Sequence, residues 1–140
     1  MLAGTLKERS GAMKKAVVVV RILLGLMFFV FGLNGILHFL PMQMPTGDAG
    51  TLMGVMAASH WMTFVALLQV IGGLLLLVGR FVPMGLVLLA PIVVNILLYH
   101  VLLDPKGIPV AVVALVLELF LIWAYRISFR GLFDAAPEVS

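Results

Sequence analysis

The sequence predicts an all-α fold, a bundle of four transmembrane helices, and three observations carry that prediction. Hydrophobic residues make up 64% of the 140 positions and charged residues only 11%, whereas a soluble domain carries about a quarter charged residues. Charges gather outside the long apolar runs: Lys7, Glu8, Arg9, Lys14 and Lys15 precede the first, and Arg126, Arg130, Asp134 and Glu138 follow the last. Four stretches, residues 16–40, 61–79, 81–103 and 108–125, approach the roughly 20 apolar residues needed to cross about 30 Å of hydrocarbon.

The first stretch is long enough to span, and Pro41 and Pro45 close it. Arg21 interrupts its apolar run and no small-residue cleavage site follows, so it reads as an uncleaved helix and not as a secretory signal. Residues 42–60 form the one long connection. Within it, Pro45-Thr46-Gly47-Asp48 supplies turn residues, and residues 51–58 are apolar enough to lie at the membrane interface as a short helix. Gly79-Arg80 separates the second span from the third, and Asp104-Pro105-Lys106-Gly107 separates the third from the fourth. Connections this short make neighbouring helices antiparallel. Pro91 lies inside the third span, where it removes a donor from the carbonyl of Val87 and favours a kink one turn before Asn95.

Orientation follows from the basic residues that flank the spans. Lys7, Arg9, Lys14, Lys15, Arg80, Arg126 and Arg130 fall on one side and only Lys106 on the other. The expected topology is multi-pass in the plasma (inner) membrane with both termini cytoplasmic. Residues 1–15 are then a cytoplasmic segment, 16–127 the transmembrane domain and 128–140 a cytoplasmic tail. The formal charge of +3 resides at span ends, with no basic face or stacking platform, so no nucleic-acid partner is expected. Membrane lipid is the expected surrounding, with a membrane or redox protein and further copies of the chain as candidate partners. The absence of cysteine removes thiol chemistry, disulfides, thiolate-held clusters and covalently attached haem.

Small residues mark helix contacts in lipid, where close backbone approach replaces the hydrophobic drive. Gly25 and Gly32 share one stripe, Gly72 and Gly79 another, and Ala111, Ala114 and Glu118 a third. Ionisable groups inside a span are costly and usually face the bundle interior. Arg21 and Glu118 have opposite charge and similar depth from the cytoplasmic side, about 7–11 Å, so the expectation is an intramembrane ion pair between them.

A second polar set falls in the outer half: Asn34 and His38 in the first span, Gln69 in the second, Asn95, Tyr99 and His100 in the third. Three readings of this ligand-binding set compete. An interhelical hydrogen-bond network uses the residues structurally. A quinone site uses His38, Asn95 and His100 to bind carbonyls, with Phe28, Phe29, Phe31 and Phe39 lining the ring. A non-covalent haem or metal held by His38, His60 and His100 is weaker, because no ligand-pair spacing such as His-x-x-x-His occurs, and no metal site is assigned. Asn34 and His38 also point about 100–180° away from the Arg21–Gly25–Gly32 stripe, so the first helix must meet two neighbours or loosen near Gly32. No nucleophile with a base partner, phosphate-binding loop or carboxylate dyad is present, and catalytic residues are not assigned.

Arg21-x3-Gly25-x2-Phe28-x3-Gly32, the run from Phe31 to Pro41, Gln69-x2-Gly-Gly followed by Leu-Leu-Leu-Leu-Val-Gly-Arg-Phe-Val-Pro83, and the run from Ala90 to His100 together resemble the DoxX-like family of small four-helix membrane proteins. The resemblance covers about residues 16–130. It implies a redox context, since the family takes its name from a subunit of a thiosulfate:quinone oxidoreductase, and it equally implies a non-catalytic scaffold or chaperone for another membrane protein. Gly35 and Gln69 stand where similar proteins often carry a lysine and an acid.

Overall fold

The computed structural model describes residues 2–139, so Ser140, the last residue of the expected tail, lies outside the described residues. The architecture is all-α. In chain order it consists of α1 (Leu2–Leu37), α2 (Gly47–Ala58), α3 (Trp61–Val78), α4 (Val82–Leu102), a 3₁₀ turn (Pro105–Gly107), α5 (Ile108–Ala124) and a 3₁₀ helix (Arg126–Phe133). Four helical segments, α1, α3, α4 and Pro105–Ala124, are long and apolar enough to cross a membrane. They close into a ring in which α1 packs on α3, α3 on α4, α4 on α5 and α5 back on α1.

Three boundaries differ from the sequence reading, each for a local reason. α1 begins at Leu2 instead of residue 16, because residues 2–15 contain no proline and are mostly good helix formers whose exposed polarity does not interrupt a helix. At 36 residues α1 is about 54 Å long, well beyond the hydrocarbon thickness. Its other end comes at Leu37 instead of residue 40, since His38 adopts a left-handed conformation with φ 53°. The short helix expected in this connection exists, and it starts earlier than residue 51, with Thr46 at its N-cap. The 3₁₀ helix Arg126–Phe133 occupies residues assigned in the sequence to the last span's edge and tail.

Packing between α1 and α3 is backbone on backbone. A Cβ added at Gly25 would lie 2.9 Å from the carbonyl oxygen of Gly73, and one added at Gly32 would lie 2.8 Å from that of Ala66. Gly72, next along α3, faces the other way and admits the Leu89 side chain of α4. Leu24, Leu76, Leu86, Leu89, Val93 and Leu121 are fully buried and form the interior with Phe28. Consecutive glycines thus let α3 approach two helices at once, and this places α1 and α4 on its opposite sides.

Candidate functional site

Of the outer-half polar residues, Asn34, His38, Tyr99 and His100 lie near the end of the bundle opposite the chain termini, here the distal end, and Gln69 and Asn95 lie deeper. Asn34 is buried, and its carboxamide is directed back at its own chain: Oδ1 accepts the Leu40 N–H at 2.6 Å and Nδ2 donates to the Met42 sulfur at 3.2 Å. The residue therefore stitches the segment that follows α1 onto the end of that helix. His38, four positions later, donates its backbone N–H to the Asn34 carbonyl, while its residue as a whole is exposed. The question of which neighbour Asn34 could meet while Gly32 faces α3 is answered by the chain folding back over it.

On α4 the polar residues separate in the same way. Asn95 is exposed on the outer face, and its Nδ2 donates to the Pro91 carbonyl at 2.8 Å within an unbroken helix. His100 turns toward the following connection, with Nδ1 3.0 Å from the Asp104 carbonyl oxygen and 3.7 Å from its carboxylate, and its ring fills the space beside Gly107. Tyr99 stands edge-on to His100, with ring centroids 5.0 Å apart, and its hydroxyl is buried without a hydrogen-bond partner. Gln69 is half-buried near the middle of α3. His38 and Asn95 are thus exposed, while half-buried His100 lies against the connection that follows α4. Of the expected aromatic lining, Phe28 belongs to the interior while Phe31 and Phe39 are exposed. Among the described residues no three histidine or acidic side chains form a metal-holding group.

The expected Arg21–Glu118 ion pair is not formed. Arg21 lies on the stripe with Gly25 and Gly32 that α3 covers, so its guanidinium goes to α3 and occupies the space where a Cβ at Gly79 would stand. Gly79 caps α3 in the left-handed conformation at φ 74°, and the cation consequently rests at the negative end of that helix's dipole. Glu118 is 2% exposed on the face of α5 that carries Ala111, Ala114 and Leu121, and neither carboxyl oxygen has a hydrogen-bond partner. Matched depth did not by itself join the two groups: the guanidinium lies against Gly79, and neither Glu118 oxygen has a hydrogen-bond partner.

One feature was not anticipated. An apolar groove of about 390 Å³ runs between α4, α5 and the 3₁₀ helix at the end nearer the termini, lined by Leu86, Ala90, Ile122, Trp123, Phe129 and Phe133. Arg126 lines the same groove, donating from Nη1 to the Trp123 carbonyl at 2.9 Å with its guanidinium 4.8 Å from the Trp123 ring centroid. The spacing of Arg126, Phe129 and Phe133 is the sequence signal for it, legible only once a helix is assigned there.

Comparison with known proteins agrees with this architecture. The sequence profile of the family described as DoxX matches residues 16–101, which include Arg21, the glycine contacts of α1 with α3, and the polar residues of α4 up to His100. The chain is also similar to an uncharacterized protein, YwoB, of Bacillus subtilis (strain 168), at 28% identity over 143 residues, with 93% of each chain covered. No solved structure matches. With more than half of its length under the profile, in a four-helix membrane bundle, the chain belongs to the DoxX family.

Proposed function

We propose that this protein is a non-catalytic subunit of the plasma membrane, a scaffold or chaperone that receives a partner membrane protein on its distal surface, with its own termini in the cytoplasm. The observation that carries the reading is the character of the segment between α1 and α3. Met42 and Met44 are each 67% exposed there, and Val55 of α2 is 62% exposed. Methionine is flexible and polarizable, and surfaces built from it adapt to more than one apolar partner. Two of the polar groups that a ligand could use are instead engaged by the chain itself: Asn34 holds Leu40 and Met42, and His100 lies against the Asp104 carbonyl.

A photo-crosslinking residue placed at Met44 or Val55 in living cells tests this. A discrete protein adduct, lost when Met42 is replaced by serine, is the expected result. Lipid adducts alone would remove the scaffold reading.

The apolar groove beside Trp123 and Phe129 favours a second reading, a redox-associated subunit that takes up a quinone at the end nearer the termini. This reading moves the ligand away from Asn34, His38, Gln69, Asn95, Tyr99 and His100. Solvent extraction of the purified protein separates the two: quinone at one equivalent supports the second reading, and its absence supports the first.

A further inference from the structure

α4 exposes one polar side chain that its surroundings do not satisfy. The helix has 21 residues, and Asn95 lies about 10 Å from its distal end at Leu102 and about 20 Å from its start at Val82, which is well within the hydrocarbon. Among the described residues it is the only exposed carboxamide on a membrane-length helix. One of its N–H groups bonds to the Pro91 carbonyl. The other N–H and the acceptor lone pairs of Oδ1 remain directed at the surface, where lipid offers them nothing. Pro91, on the same exposed face, also leaves the Val87 carbonyl without a helical donor.

The residues around Asn95 form a regular seam. Met84, Leu88, Pro91, Asn95, Leu98 and Leu102 recur at alternating spacings of four and three. That is the repeat by which two helices interdigitate as a left-handed pair. Met84, Leu98 and Leu102 are 57%, 49% and 72% exposed, and Pro91 is exposed as well, so the seam faces outward with Leu88 along its edge. α3 and α5 pack on α4 and leave that face exposed.

We propose that two copies of this chain pair in the membrane through α4, with Asn95 of each at the centre of the contact. Copies inserted in one membrane share an orientation, so a two-fold axis along the membrane normal brings each seam position to its own counterpart. A carboxamide is self-complementary under that symmetry. The free N–H of one Asn95 donates to the Oδ1 of the other and the reverse bond forms equally, while each retains its bond to Pro91. A single polar residue at a core position of such a seam also fixes register. A basic or acidic side chain opposite it would leave either the donor or the acceptor unused, whereas a second copy related by that axis brings a matching carboxamide to the same depth. The pairing stands independently of the distal partner proposed above, since α4's outer face and the segment between α1 and α3 are different surfaces.

The chain contains no cysteine, so single substitutions report cleanly. Leu98→Cys and Met84→Cys in native membranes are expected to give disulfide-linked homodimers, whereas Val116→Cys, on the exposed face of α5, is not. Asn95→Leu should lower dimer association in lipid about 3- to 30-fold, the range for one interhelical hydrogen-bond pair, and Asn95→Gln should restore most of it. Asn95 is exposed, so its replacement does not disturb the interior. Equal crosslinking at Leu98 and Val116, an unchanged dimer in Asn95→Leu, or capture of a different protein at Leu98→Cys would each overturn the proposal.

Discussion

Gly25 of α1 and Gly73 of α3 bring their backbones into reciprocal contact: a Cβ on the first would lie 2.9 Å from the other's carbonyl oxygen, and a Cβ on the second 2.7 Å from the first's. Neither neighbour is a side chain that could rotate aside. Gly73→Ala is therefore expected to destabilise the bundle by about 1–3 kcal/mol or more, because the two helices must separate. Gly54→Ala in α2, where nothing lies within 4 Å, should instead stabilise by about 0.5–1 kcal/mol through helix propensity. Unfolding in detergent with a graded denaturant compares the two, and equal effects would show that the glycine contact is not the constraint.

The buried carboxyl of Glu118 lacks a donor, and an unsatisfied buried polar group costs about 1–3 kcal/mol. Replacement by leucine, of similar volume, should raise stability by about that amount. In a cycle with Arg21→Leu the two changes should add to within about 0.5 kcal/mol, since Arg21 rests on Gly79. A strong coupling energy would restore the ion pair that the helix faces argue against.

Asn34 satisfies the Leu40 N–H and approaches the Met42 sulfur. Asn34→Ala should cost about 1–3 kcal/mol by leaving that amide unpaired, and hydrogen exchange at Leu40 should accelerate. Met42→Leu removes only the weaker sulfur contact and should preserve the slow exchange. If both variants exchange alike, the carboxamide does not hold this turn.

Membrane orientation is open to direct measurement. With Lys7, Arg9, Lys14, Lys15, Arg80, Arg126 and Arg130 on one side, an impermeant thiol reagent added to intact cells should label Asp48→Cys and leave Ser10→Cys unmodified. The reverse pattern would invert the topology and place the methionine-bearing segment in the cytoplasm.

Hydropathy made the four spans legible because crossing a bilayer demands a long apolar run whatever its neighbours. The helical extension from Leu2 was not legible in this way, since it rests on propensity in a polar, exposed stretch. The site depends on side-chain direction as well as depth. Depth can be counted along a chain, and Arg21 and Glu118 were aligned on that basis, but the direction of each side chain depends on helix rotation. Gly73 looks no different in the sequence from Gly72 beside it, although one faces α1 and the other α4. Asn34 and His100 likewise have spacing that suits a shared ligand, yet their partners are backbone groups a few residues onward.

The position of Arg21 on Gly79 has a consequence for the order in which the molecule is made. Only Gly79, Arg80 and Phe81 separate α3 from α4, and both Gly79 and Phe81 are left-handed, so this hairpin can close from local contacts alone. α1 is synthesised first, but its resting place includes the end of α3. Until that turn exists, the guanidinium must remain among lipid headgroups, held near the surface by its charge. Formation of the turn at Gly79 creates the cap on which the cation settles. The first helix to be synthesised is therefore one whose cation finds its resting place only when the end of α3 has formed.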